Sequence, residues 1–124
     1  CAGLNLIAKT SLEAIRQKEM SLTARFLDGL GQMRSHVAVF GPNNAARQTA
    51  VVSFNIQDVT PSDAALFFEE EYGILCRPGL HCAPSAHRNI GTFPQGTVRF
   101  SFGFYNTKQD VDDALTAVGR LAAR

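Results

Sequence analysis

The run TVRFSF (97–102) alternates strictly. Val98, Phe100 and Phe102 fall on one side of an extended chain, and Thr97, Arg99 and Ser101 on the other. A side-chain period of two marks a strand with one apolar and one polar face. Such a strand requires partners beside it and a cover over its apolar side. Partners are available in HVAVF (36–40), which ends at the turn signal Gly41-Pro42-Asn43, and in TAVVSFN (49–55), rich in β-branched and aromatic residues. Residues 74–77 form a further short strand candidate.

The cover is written in three capped helical patterns. Thr10 with Glu13 makes a capping-box pattern, followed by Leu12, Ile15, Leu22, Phe26, Leu30 and Met33 at helical spacing, with Gly31 favouring fraying near the end. Thr60-Pro61-Ser62-Asp63 repeats the box with proline at the first helical position, where its missing N–H costs nothing. Ala64, Phe67, Phe68 and Tyr72 follow, and Gly73 is the stop. Thr107 with Asp110 opens the third helix, whose stripe is Val111, Ala114, Leu115, Val118 and Leu121. The order is helix, strand, strand, helix, strand, loop, strand, helix. It predicts an α+β fold, with a small, mostly antiparallel sheet and helices packed on one face.

At 124 residues the chain is one domain's worth, and 45% hydrophobic with 19% charged residues is enough for a core. A formal net charge of +1 gives no electrostatic case for nucleic acid or an acidic membrane surface. No apolar run approaches the ~20 residues of a membrane helix, and no signal segment opens the chain. Three cysteines (Cys1, Cys76, Cys82) suggest no disulfide framework and fit a reducing, cytoplasmic compartment. The opening CAGLNL, without an initiator Met, reads as a cut into a longer polypeptide or a processed terminus.

The chemistry concentrates in RPGLHCAP (77–84). Gly79 and Pro84 bracket a sharp turn that places His81 and Cys82 on an exposed loop. Beside Arg77 and Arg88, the Cys82 thiol has a route to a lowered pKa, and the thiolate is the nucleophile. The plainer alternative is a small buried cysteine beside a satisfied loop histidine. Zinc is a third option, since Cys76, His81, Cys82 and His87 lie close in sequence, but their spacing fits no closed-site pattern. Arg99 is either a solvated strand charge or a fork aimed at an anion across the open sheet face. The aromatics Phe100, Phe102, Phe104 and Tyr105 read as strand core before any stacking platform. No dinucleotide, P-loop, zincin or nucleophile-elbow motif occurs.

Taken together, RPGLHCAP, a short spacer, GTVRFSFGFYNT (96–107) and an amphipathic terminal helix resemble the carboxy-terminal part of cysteine desulfurases. These are pyridoxal-phosphate (PLP) enzymes of the class V aminotransferase family, and the branch including selenocysteine lyase-like desulfurases carries the R-x-G-x-H-C-A loop. The resemblance implies that residues 1–124 are a single domain, the small C-terminal one of a larger enzyme. It implies that Cys82 is the nucleophile that takes sulfur from L-cysteine as a persulfide, leaving alanine. Arg99 matches the arginine that grips the substrate carboxylate, and Arg77, Gly79 and His81 match the loop presenting the cysteine. The family's Schiff-base lysine, ring-stacking histidine and phosphate-binding residues belong to its large domain. The only lysines here, Lys9, Lys18 and Lys108, stand in none of the expected context. The chain alone is therefore expected neither to bind PLP productively nor to turn over cysteine. Its implied partners are its own large domain, a second copy in a homodimer, and a sulfur-acceptor protein. Alternatives are a class V relative acting on another amino acid, a selenocysteine lyase, or a freestanding persulfide carrier.

Overall fold

A computed structural model describes residues 2–124. The chain opens with α1 (Ala2–Thr10) and α2 (Leu12–Gln32), then β1 (Val37–Phe40), a 3₁₀ turn (Ala45–Arg47) and β2 (Val51–Ile56). It continues through α3 (Pro61–Tyr72), β3 (Arg77–Gly79), α4 (Pro84–Asn89), β4 (Thr97–Ser101) and α5 (Lys108–Ala122). The strands form one antiparallel sheet in the order β1-β2-β4-β3. The fold is α+β, as the alternation at 97–102 required.

The helix caps show how closely local chemistry sets element ends. Thr107 and Asp110 form the full capping box, with Asp110 N–H donating to Thr107 Oγ1 (3.2 Å) and Thr107 N–H to Asp110 Oδ2 (2.9 Å). At α3 only half the box forms. The Thr60 hydroxyl accepts from Asp63 N–H (3.1 Å) and donates to the Asp63 carboxylate (2.6 Å).

The first expected cap is displaced by one residue. Thr10 ends α1, an additional helix over the apolar opening segment, and Ser11 caps α2 by accepting from Ala14 N–H (3.2 Å). The chain changes direction at Ser11 (φ 71°), so Glu13 lies too early to reach back and instead accepts from Gln17 Nε2 (2.9 Å).

One strand also moves. Strand pairing begins at Arg77, three residues after the expected start at Ile74. Left-handed Gly73 closes α3, its N–H bonding Glu69 O (3.0 Å) while Ile74 N–H bonds Phe68 O (2.9 Å). Those bonds hold the chain to the helix, and Ile74 and Cys76 pack against the core before the ladder is reached.

The core lies between the sheet and α2, α3 and α5. Val52, Phe54, Ile56, Val98 and Phe100 face inward and are buried. Phe100 is a hub, with ring centroids 5.4 Å from Phe26 (α2), 5.3 Å from Phe54 (β2) and 5.4 Å from Phe68 (α3). Inward alternation stops at Phe102. Phe104 is half-buried and Tyr105 is 76% exposed, because the chain turns there into the Thr107 cap. The opposite face of the sheet carries Ser53, Asn55, Arg99 and Ser101. Among the described residues no helix is long and apolar enough to cross a membrane.

The β3–β4 end of the sheet is drawn tight by two glycines. A Cβ on Gly96, whose φ is +83°, would lie 2.1 Å from the Gly79 carbonyl carbon. Gly96 O also accepts from Asn55 Nδ2 (3.1 Å), and Asn55 Oδ1 accepts from Val98 N–H (3.3 Å). Replacing Gly96 with alanine forces backbone apart at a left-handed position. We expect a loss of about 1–3 kcal/mol, read as a lowered urea midpoint with unchanged slope.

Candidate functional site

On the open face, β4 is flanked by β2 and β3, and the register sets Ser53 and Arg77 on either side of Arg99. Two arginines directly opposite each other repel unless an anion lies between them. The only ion pair among the described residues is elsewhere, joining Arg25 to Asp112 (2.6 Å) across α2 and α5. Arg99 is half-buried without a carboxylate, and its Nε is buried without a hydrogen-bond partner. A guanidinium N–H in that condition is a costly orphan in the free protein and a ready donor to a ligand oxygen.

The loop after β3 rises beside this fork. Gly79 (φ +100°) is followed closely by His81 (φ 52°) and Cys82 (φ 62°), consecutive non-glycine residues in the left-handed region. Such a conformation persists only where its surroundings over-determine it. Ala83 N–H bonds Leu80 O (2.8 Å), closing the turn, and Cys82 is exposed at its tip.

His81 turns back onto the sheet. Its Nε2 lies 3.2 Å from Oγ1 of Thr97, which is fully buried two residues before Arg99. Its Nδ1 is buried and has no partner. Only two buried side-chain polar atoms among the described residues lack a partner, His81 Nδ1 and Arg99 Nε, and both belong to this site. Burial lowers the His81 pKa below its ordinary 6.5, and the positive fields of Arg99, His87 and Arg77 reinforce the shift. His81 therefore stands neutral at neutral pH.

The two described cysteines divide sharply. Cys76 is half-buried against the core, and burial, with the field of Glu69, pushes its thiol up to about 11. At pH 8 iodoacetamide is expected to alkylate Cys82 at least about tenfold faster than Cys76, since reactivity follows thiolate fraction and access. Peptide mapping after timed quenching checks this.

Arg77, Gly79, His81, Cys82 and Arg99 are thus brought onto one end of the sheet. Arg88 points elsewhere, lying over the Phe93 ring at 4.5 Å. Among the described residues no three His, Cys, Asp or Glu side chains group as a metal site requires. Sequence reasoning missed α4 and its buried His87, whose Nδ1 lies 2.6 Å from Thr92 Oγ1. Pro84 at the first helical position was the available signal, but a six-residue helix is too short to show a period.

Residues 1–114 match the protein family described as Aminotransferase class-V. The chain belongs to that family. A probable cysteine desulfurase of Pyrococcus abyssi is 32% identical over 97% of this chain, and one of Synechocystis is 33% identical over 90%. The structure of the apo cysteine desulfurase from Thermococcus onnurineus NA1 superposes with a TM-score of 0.91 at 33% identity, covering 98% of this chain. The Escherichia coli cysteine desulfurase CsdA, in an S-sulfonic acid form, gives 0.82 at 30% identity over 96%. The class-V chain described here spans 26–29% of the length of these four proteins.

Class-V aminotransferases and cysteine desulfurases are PLP enzymes, and the site can be tested against that group. Lys9 and Lys108 are exposed on α1 and α5, and Lys18 lies over the Phe104 ring at 4.9 Å. The open face around Arg99 and Cys82 includes no lysine. Its residues fit a carboxylate and a thiol acceptor; they do not fit attachment of an aldehyde cofactor.

Proposed function

We propose that this chain is the sulfur-accepting part of a PLP-dependent cysteine desulfurase, with Cys82 receiving sulfur and Arg99 holding the substrate carboxylate. The observation that carries the reading is the orphaned, buried Nε of Arg99 on the strand that His81 contacts, with the exposed thiol of Cys82 next to His81 on a strained turn. A planar fork with unspent donors suits a carboxylate, and anchoring it orients the substrate's sulfur toward Cys82. Arg77, opposite Arg99, adds positive field, and Gly79 with His81 shapes the turn. The resemblance at RPGLHCAP and the desulfurase relatives support the same assignment.

In the net reaction the Cβ–S bond of L-cysteine breaks and an S–S bond to Cys82 Sγ forms. The proton of the Cys82 thiol is balanced by one gained at Cβ, so the products are alanine and a Cys82 persulfide. PLP, when bound, supplies the electron sink for that bond breakage. In this reading residues 1–124 are the small C-terminal domain, and a large domain outside them holds the cofactor. The isolated chain is then inactive, and the whole enzyme is a cytoplasmic homodimer that passes sulfur to an acceptor protein.

The test uses the full-length protein loaded with PLP and given L-cysteine without reductant. One equivalent of alanine per chain should appear in the first turnover, with one added sulfur atom on the peptide containing Cys82. Alanine formed with no sulfur on that peptide would overturn the proposal.

A further inference from the structure

We infer that His87 is a positioning residue that sets the Cys82 turn, through its hydrogen bond to Thr92 and its packing on His81. The turn carries two left-handed residues, and the segment after it has little else to hold it. Helix α4 is six residues long, shorter than a helix that stands by itself, and its N-terminal cap makes no side-chain hydrogen bond. His87 is its one buried residue. Of the α4 side chains, His87 alone is therefore in a position to anchor the segment.

That tie is directional. An apolar side chain would fill the same volume, but His87 also places Nδ1 2.6 Å from Thr92 Oγ1, and both residues are buried. Its carbonyl accepts from Thr92 N–H (2.9 Å) and Phe93 N–H (3.2 Å), and its own N–H reaches back to Ala83 O (3.2 Å). The 92–93 backbone thus fixes the His87 main chain, and the Thr92 hydroxyl orients its ring. Against it lies the His81 ring, 5.6 Å away between centroids and tilted 49°. His81 in turn meets Thr97 on β4, the strand that carries Arg99. The contacts run Thr92, His87, His81, Thr97, and they relate the cysteine turn to the carboxylate fork. His87 and Thr92 are buried while Cys82 is exposed, so their effect on sulfur transfer passes through the placement of Cys82. This inference rests on the proposed desulfurase reading for its rate arm alone.

The experiment compares His87→Phe, Thr92→Val and His87→Asn in the full-length, PLP-loaded protein. Phenylalanine fills the volume without the bond, valine removes the partner isosterically, and asparagine keeps a polar atom near the Nδ1 position. His87→Phe and Thr92→Val should lower kcat for alanine formation about ten- to a hundredfold while KM for L-cysteine stays within about twofold, because Arg99 is untouched. His87→Asn should recover kcat to within about threefold of the parent. The rate of Cys82 alkylation should shift in the first two variants and return in the third. That arm reads the turn directly, so it stands even if Cys82 proves not to be the sulfur acceptor. Wild-type kcat and alkylation in Thr92→Val, or a KM effect with kcat unchanged, would overturn the inference. Should His87→Phe fail to fold, Thr92→Val decides alone.

Discussion

Cys82→Ala is expected to abolish sulfur transfer, lowering alanine formation from L-cysteine by at least about a thousandfold, since Cys82 is the one exposed thiol among the described residues. The second described cysteine is no substitute. Cys76 is half-buried with its thiol raised to about 11, which leaves it protonated at neutral pH and less accessible than Cys82. The fold should survive the change. Cys82 is exposed, and alanine tolerates φ near 62° no worse than cysteine does, so the unfolding free energy should stay within about 0.5 kcal/mol. Cys82→Ser sharpens the result, because a hydroxyl of the same shape keeps the turn and lacks a thiolate's nucleophilicity. Alanine production is followed in full-length protein beside a thermal melt. Wild-type turnover in Cys82→Ala would remove the nucleophile assignment, and lost turnover with an unchanged melt would support it.

The parts of this fold written most plainly in the sequence are those fixed by local chemistry. Thr60-Pro61 and the Thr107–Asp110 box mark where α3 and α5 begin, and Gly73 marks where α3 ends. The alternation at 97–102 likewise needs no knowledge of its neighbours. Misreadings arose where two signals competed. Thr10 and Ser11 are adjacent capping residues, and only the helical state of the segment before them decides between them. At 74–77 the apolar residues meet the core before they meet a strand, and composition cannot separate those environments.

The site was legible as a list and illegible as an arrangement. RPGLHCAP and GTVRFSF named Cys82 and Arg99, but whether Arg99 is a solvated charge or a fork depends on burial of its Nε. That burial follows from the pairing of β3 on β4, between residues 22 apart in number, Arg77 and Arg99. Thr97 was assigned to the polar face, and it is fully buried because His81 folds over it. Contacts of that kind come from loop closure, which leaves no period in the sequence.

Arg99→Ala should separate binding from stability in a way that a structural arginine would not. A ligand carboxylate held by charged, directional bonds loses about 2–5 kcal/mol when one partner is truncated, so kcat/KM for L-cysteine should fall at least about thirtyfold, chiefly through KM. Arg99→Lys should recover little, because a point charge on a flexible stem cannot reproduce the paired donors of a planar fork. Stability should move the other way or not at all. Arg99 has no carboxylate to lose among the described residues, and its removal relieves repulsion from Arg77 directly across the strand pair. It also removes one of two buried polar atoms without a partner, a group that costs free energy as it stands. Urea unfolding of the variant beside its steady-state kinetics reads both effects in one preparation. An Arg99→Ala protein with unchanged KM and a lowered unfolding midpoint would mark this guanidinium as part of the scaffold; raised KM with an equal or higher midpoint would mark it as held ready for a substrate.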